Sequence, residues 1–346
     1  MDAHRIRGED VMLGTPKVSV SVITYNHERF IGQALDGILA QELDAGLEVL
    51  VGEDCSTDGT RSVIRERVAR RPEIFRVREY PANVGARRNF LDGIEQARGE
   101  YIALLDGDDY WTSSTKLVDQ VAMLDGDPTL SLSFHATRRT FDHSDRPDDL
   151  HHPRGRRHRY GLDDLASFMT IPVSSAVVRR SAVCSIPEWF MHAPVGDRAL
   201  WVVCATQGGL GYVDEVHGVY RVHEQSETSL RATTASIEQR IALINLLFEH
   251  NVVTNAVPWR RSLQRCYYDL AHAYASESRR SEAWREVRRA WRAAGGWNPR
   301  VYPSEPFKVL TAIALPRPYR QLKSVSRFVR RSRAAGDARW SEAVPE

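Results

Sequence analysis

The feature that most limits what this chain can fold into lies between residues 18 and 105, where short apolar strands alternate with helical patterns. Val18, Val20 and Val22 alternate with Ser19 and Ser21, which predicts a strand that stops at Thr24, Tyr25 and Asn26. Phe30, Ala34, Leu35 and Ile38 then keep helical spacing. Further strands are expected at 47–51, 74–77 and 101–105, with one helix opening near Asp58 and Gly59 and another over 86–97. Strands separated by helices need crossover connections, so the fold class is α/β, with a mainly parallel central sheet flanked by helices. In such sheets ligands bind beyond the carboxyl ends of the strands.

Three of those ends carry clustered polar side chains. The first is Thr24, Tyr25, Asn26, His27 and Glu28; the second runs from Glu53 and Asp54 through Cys55, Ser56, Thr57, Asp58 and Gly59 to Thr60; the third is Asp106, Gly107, Asp108 and Asp109. A solvated loop accounts for any one of them, but a parallel sheet brings all three to one edge. Carboxylates packed this closely repel one another unless a cation joins them, so Asp106, Asp108 and Asp109 read as a site for Mg2+ or Mn2+. Such an ion keeps positions open for phosphate oxygens and can offset the charge of a departing diphosphate. The expected ligand is a nucleoside diphosphate bearing something transferable.

Beyond Asp109 the alternation weakens. A helix is expected over 116–124, a strand over 130–135, a loop over the His- and Arg-rich stretch 142–159, regular structure at 174–178, a helix over 197–206 and a strand over 211–220. His151, His152 and His158 lack the carboxylate or cysteine spacing of a metal site. After residue 231 only helical spacing remains: Ile237, Ile241, Ile244 and Phe248, then Leu263, Tyr267, Leu270 and Tyr274, then Trp284, Val287 and Trp291. Residues 319–333 set Leu322, Val325 and Val329 against Lys323, Arg327, Arg330, Arg331 and Arg333, a short basic amphipathic helix.

Composition bounds the function classes. With 346 residues, 42% apolar and 27% charged, the chain has material for one large domain plus an appendage, and whole-chain disorder is excluded. The net charge of +2 hides an asymmetry, since residues 1–239 hold 36 acidic and 27 basic side chains while 240–346 hold 9 and 20. Of the 47 basic residues 43 are Arg; phosphate neutralisation accepts either cation, so this bias points to a G+C-rich genome and no nucleic-acid partner is expected. The apolar run Val309 to Leu315 is far short of the roughly 20 residues of a spanning helix, and Met1 to Asp10 has no signal-peptide core. Cys55, Cys184, Cys204 and Cys266 form no C-x-x-C pair and fit a reducing compartment. The expectation is a cytoplasmic protein, soluble or peripheral at the inner face of the membrane through 319–333.

Taken in order, Val18-Ser19-Val20 with Val22 and Thr24-Tyr25-Asn26, then Glu53-Asp54 with Ser56 and Asp58-Gly59-Thr60, then Asn83 and Gly85 with Asn89, then Gly99-Glu100-Tyr101-Ile102 running into Asp106-Gly107-Asp108-Asp109, the set resembles the family 2 glycosyltransferases of the GT-A fold. The likeness is close over about 17–125 and looser to about 230. It implies an inverting transfer of a sugar from a nucleotide sugar. Thr24, Tyr25, Asn26 and Glu28 would line the nucleotide pocket, Asp54 would accept from the base, and Asn83 would approach the nucleotide. An imide N–H of uracil or thymine suits an accepting carboxylate at Asp54. Asp106 would contact ribose or metal and Asp108 the metal; which of Asp106, Asp108 and Asp109 touches the ion stays open.

Inversion needs a base for the acceptor hydroxyl. The family places an Asp at the start of a later helix, often followed by a Trp, and Gly196-Asp197-Arg198-Ala199-Leu200-Trp201 matches that context, so Asp197 is the implied base; an Asp there also suits a helix cap. Tyr220-Arg221-Val222-His223 resembles a segment in which a His completes the metal shell, and imidazole favours Mn2+ over Mg2+. Ser226 and Ser229 would follow on a segment that closes over the donor. The implied division is an N-terminal arm at 1–16, a GT-A domain at 17–230 whose nucleotide-sugar half ends near 125 and whose acceptor half fills 126–230, and a helical basic region at 231–346. The implied setting is bacterial surface-glycan synthesis, of capsule, O-antigen or exopolysaccharide, from a UDP- or dTDP-sugar to a glycan, lipid-linked or small-molecule acceptor. Decoration of a small natural product and a non-catalytic sugar-nucleotide-binding scaffold are the alternatives. A glycosidase needs no nucleotide pocket, and Thr24-Tyr25-Asn26 is not the glycine-rich phosphate loop of a nucleotidyltransferase.

Overall fold

Val18, Val20 and Val22 are buried, as their period of two predicts, and lie in β1 (Val18–Thr24). The chain continues through α1 (Ile31–Leu39), β2 (Leu47–Glu53), α2 (Thr60–Val68), β3 (Phe75–Glu79), α3 (Ala86–Gln96) and β4 (Tyr101–Asp106). β1 pairs in parallel with β2 and with β4, and β2 with β3. One face of these strands packs Ala34, Leu35 and Ile38 of α1 and Ile64 of α2 onto the valines of β1 and β2. The serine face of β1 is not wet either. Ser19 and Ser21 are buried, and α3 comes so close that a Cβ at Gly93 would lie 2.1 Å from Ser21 Oγ.

The computed structural model describes residues 15–43, 46–142, 146–151, 157–167, 169–224 and 233–293. Most of the expected arm, His152, Ser226, Ser229 and the basic segment 319–333 lie outside the described residues. After β4 come β5 (Tyr110–Trp111), α4 (Lys116–Gly126), β6 (Leu130–Phe141), β7 (Asp149–His151), β8 (Arg159–Tyr160), α5 (Leu162–Leu165), a 3-10 turn at Val173–Ser175, β9 (Val177–Arg179), α6 (Arg180–Val183), a second 3-10 turn at Glu188–His192, α7 (Gly196–Gln207) and β10 (Gly209–Val222). Among the described residues, ten strands form one sheet whose main path is β3-β2-β1-β4-β9-β6-β10-β5. The stretch 142–159, expected as a loop, instead supplies β7 to β6 and β8 to β10, and His151 Nε2 sits 3.0 Å from the Thr170 carbonyl.

Two compact units divide the chain, and the second holds the helices after residue 232. These are α8 (Thr233–Glu249), α9 (Ala256–Ser276) and α10 (Arg280–Ala293). Asn255 caps α9 by accepting from Val257 N at 3.2 Å. The periodicity identified the right faces of α8 and α9, where Ile237, Ile241, Ile244, Leu263, Leu270 and Tyr274 are buried. It misplaced two residues of α10: Trp284 and Trp291 are 39% exposed, whereas Ala283, Val287 and Ala290 are buried. Small residues let helices approach, so the alanines and not the tryptophans mark the packed face. No helix among the described residues is long and apolar enough to cross a membrane.

Candidate active site

The strand register sets the polar ends side by side: Thr24 pairs with Glu53 across β1 and β2, and Ile23 with Asp106 across β1 and β4. Hydrogen bonds then stitch the first two loops together. Asn26 N donates to Ser56 Oγ at 2.9 Å, Thr57 N to Asn26 Oδ1 at 2.9 Å, and Gly59 N to Glu28 Oε2 at 3.0 Å. Asn26 adopts φ of 55°, the left-handed region that Asn enters more readily than most residues. Asp58 accepts from Thr60 N, Thr60 Oγ1 and Glu28 N. Partial burial would raise its pKa, but these donors hold it below the ordinary value. Asn26, Glu28, Arg29, Phe30, Thr57, Asp58, His223 and Glu224 line a pocket of about 290 Å3, close to the low end for small-molecule sites.

At the third strand end Asp108 Oδ2 faces His223 Nε2 at 3.0 Å. Burial pushes the Asp108 carboxyl up, but the His223 hydrogen bond and the His27 and His223 imidazoles outweigh it and hold the pKa below the ordinary range. Phe30 packs its ring 4.7 Å from that of His223. Gly107 makes the turn possible, because a Cβ there would meet Thr24 Oγ1 at 2.8 Å and His27 Nδ1 at 2.9 Å. Those two atoms are buried without a hydrogen-bond partner. Burial lowers the His27 pKa, against the pull of Asp108. No role was read for His27 from the sequence, although it stands inside the first polar cluster.

Asp109 turns the other way. It is fully buried, Oδ1 accepts from Arg221 N at 2.9 Å, and Oδ2 accepts from Ser174 Oγ at 2.7 Å. Burial first, then the Asp108 and Asp106 charges, push its pKa well above the ordinary carboxylate range. Asp109, expected among the metal ligands, braces β4 against β10 and the first 3-10 turn. Arg221 was also not singled out in the sequence. Its Nη1 donates to the Asp108 carbonyl at 2.5 Å, its Nη2 to Gln33 Oε1, and its guanidinium lies 4.3 Å from the centre of the Tyr110 ring.

Asp54 is buried with both oxygens on backbone donors, Val84 N at 2.7 Å and Gly85 N at 2.9 Å. These bonds order the turn before α3, where Gly85 takes a φ of 85°. Asn83 in that turn is exposed, Tyr25 is exposed, and Asp106 is half-buried at the end of β4. Asp197 sits half-buried in the first turn of α7, its Oδ1 accepting from Arg198 N at 2.8 Å, and does not line the pocket. The segment before it is anchored by Arg87 in the first turn of α3, which donates to the Met191 carbonyl at 3.0 Å and to the Ala193 carbonyl. The turn held by Asp54 and the approach to Asp197 therefore share one short helix end.

Residues 19–185 match the family model described as glycosyl transferase family 2. The Mycobacterium tuberculosis protein Rv1520 is 36% identical over 213 residues, 60% of this chain and 59% of that protein, so the chain spans about three-fifths of the length of the mycobacterial relatives it matches. The Staphylococcus aureus poly(ribitol-phosphate) beta-N-acetylglucosaminyltransferase TarS is 33% identical over 111 residues, 32% of this chain and 19% of TarS. The crystal structure of TarS 1–349 with UDP-GlcNAc aligns with a TM-score of 0.60 at 17% identity, covering 90% of this chain and 91% of that one. The mannosyltransferase PcManGT of Pyrobaculum calidifontis, solved with GDP-Man and Mn2+, aligns with a TM-score of 0.52 at 19% identity over 98% of this chain and 92% of that one. At such identities the two structures establish the fold, a mainly parallel GT-A sheet. Residues 19–185 thus match glycosyl transferase family 2 in sequence, and the strand-end loops and sheet order are those of a GT-A fold.

Proposed function

We propose that this chain transfers a sugar, with inversion, from a UDP- or dTDP-sugar to an acceptor hydroxyl in the synthesis of a bacterial surface glycan. One observation carries the reading: a largely buried carboxylate, Asp108, is paired with the imidazole of His223 on the wall of a polar pocket where β1 and β2 end. The 3.0 Å between Asp108 Oδ2 and His223 Nε2 matches neighbouring ligand positions around an octahedral ion with bonds of about 2.1 Å. One carboxylate with one imidazole suits Mn2+. Asp108 and His223, with Asp106 adjoining, would hold the ion; when bound, it supplies positive charge to the diphosphate and eases its departure.

The chain's own side chains do the rest. Tyr25 offers an exposed ring to the base, Thr24, Asn26 and Glu28 shape the nucleotide side of the pocket, and Asn83 approaches from the turn that Asp54 orders. Asp197 takes the proton of the acceptor hydroxyl as that oxygen bonds to the anomeric carbon, and the bond from that carbon to the diphosphate breaks on the opposite face. The donor belongs to the half ending near residue 125 and the acceptor to 126–230, with the basic segment 319–333 holding the enzyme near anionic lipid. TarS, whose name records sugar transfer to a phosphate polymer, supports the surface-glycan setting. Thermal melting and donor hydrolysis with UDP-, dTDP- and GDP-sugars, each with and without Mn2+, test the proposal. A UDP- or dTDP-sugar should raise the melting temperature and be slowly hydrolysed only with Mn2+; no response to any donor would overturn it.

A further inference from the structure

A second cluster of ligating atoms lies farther back along β10 and is independent of the donor pocket. The pairing of β10 with β6 slips between Val213 and Val216 and again between Val216 and Gly218. Such bulges re-aim side chains, and here Glu215 and His217 both meet Asp119 in the first turn of α4. His217 Nε2 lies 3.3 Å from Asp119 Oδ2 and 3.8 Å from Glu215 Oε2, and one donor atom from each residue falls within 4.8 Å of the others. His217 is 3% exposed, yet its Nε2 has no hydrogen-bond partner. A buried imidazole nitrogen aimed at two carboxylate oxygens, without hydrogen-bonding either, is a costly arrangement unless something stands between them.

We propose that Asp119, Glu215 and His217 form a binding site for a borderline divalent transition-metal ion, with zinc the best fit. In a tetrahedral zinc site, bonds of about 2.0–2.2 Å put neighbouring ligands about 3.3–3.6 Å apart, close to the two separations seen. One imidazole with two carboxylates is a known kind of zinc donor set, whereas Mg2+ and Ca2+ favour oxygen alone. Asp119 and Glu215 are 38% and 73% exposed, so the ion has an entry path and solvent can supply the fourth ligand. Thr115 Oγ1 donates to Asp119 Oδ2 at 2.7 Å, which orients that carboxylate from outside the ligand set.

His223 follows His217 by six steps along the chain, on the order of 20 Å at about 3.3 Å per step, so this ion is not the donor-site ion. Its position suggests a brace. It would pin the bulge to α4 just before β10 delivers Arg221 to Asp109 and His223 to Asp108.

The test uses the full chain, stripped with EDTA and titrated with zinc against a chromophoric chelator, beside Asp108→Asn to remove any zinc drawn to the donor site. One zinc equivalent should persist in Asp108→Asn, raise the melting temperature, and give visible bands of a four-coordinate N/O site when cobalt replaces zinc. Glu215→Gln, at an exposed position that leaves the fold alone, should weaken binding at least tenfold, and Asp119→Asn should do the same. No equivalent beyond one removed by Asp108→Asn, or unchanged affinity in either carboxylate variant, would overturn the site.

Discussion

The half of the sheet that ends at β4 and the half that follows place their polar residues differently. β1 and β2 also bury polar side chains, but Ser19 and Glu48 pair locally, Ser19 Oγ donating to Glu48 Oε1 at 2.5 Å and accepting from Gly99 N at 2.7 Å, and the ligand chemistry stands in the loops beyond the strands. β6, with β9 and β10 on either side, buries Ser131, Ser133, His135 and Thr137 along one face, alternating with Leu130, Leu132, Phe134 and Ala136 on the other. Gln120 of α4 meets the polar face, its Nε2 donating to the Ser133 carbonyl at 2.9 Å and the Ser175 carbonyl at 3.0 Å. Lys116 Nζ, His135 Nε2 and Thr137 Oγ1 are buried there with no hydrogen-bond partner. The first half thus gathers most of a ligand edge from neighbouring strand ends, while the second depends on contacts between distant segments and buries Lys116 and His135, whose Nζ and Nε2 lack hydrogen-bond partners, at a cost in stability.

Mutations can break that contrast. The largest effect is expected from Asp108→Asn, which should lower donor turnover by at least about 100-fold and abolish Mn2+-dependent stabilisation by donor, as measured by hydrolysis and melting. Asp109→Ala should act on the fold. It leaves Ser174 Oγ and Arg221 N buried without their acceptor, a loss of about 2–4 kcal/mol in urea unfolding. Arg87→Ala frees the carbonyls before Asp197 and should reduce turnover about tenfold while donor affinity, read by calorimetry, stays near that of the unaltered chain.

The smallest effect sharpens the second half. Burial keeps the Lys116 pKa well below its ordinary value, so at pH between the folded and ordinary values the unfolded chain binds a proton that the folded chain does not. Folding stability from this residue therefore rises as pH rises towards the ordinary lysine value. Lys116→Met should stabilise the fold by about 1 kcal/mol at pH 7, and denaturant midpoints should show the gain shrinking as pH approaches 10.

The same contrast explains what the sequence revealed. The four strands up to Asp106 and their three polar ends were legible because period and spacing are local properties. Asp108 and Asp109 were not separable, being adjacent carboxylates whose fates are decided by His223, Arg221 and Ser174, all far along the chain. Asp54 was read as facing a ligand, and its bonds to the turn at Val84 and Gly85 are a second part it plays that no local pattern announced. Arg87 carries no motif, and only its contact with the segment before Asp197 marks it. In the helical unit, spacing identified an apolar stripe on α10 but not that alanines, rather than Trp284 and Trp291, fill the packed side.

The central claim is a division of labour, with the strand-end loops of the first half, joined by His223, holding the donor and Asp197 of the second half supplying the proton acceptor. Asp197→Asn, assayed for donor affinity by calorimetry with Mn2+ and for sugar transfer, tests it most directly. Donor affinity within about twofold of the unaltered chain, with transfer reduced by at least about 100-fold, is the predicted result. Transfer at an unchanged rate would contradict it.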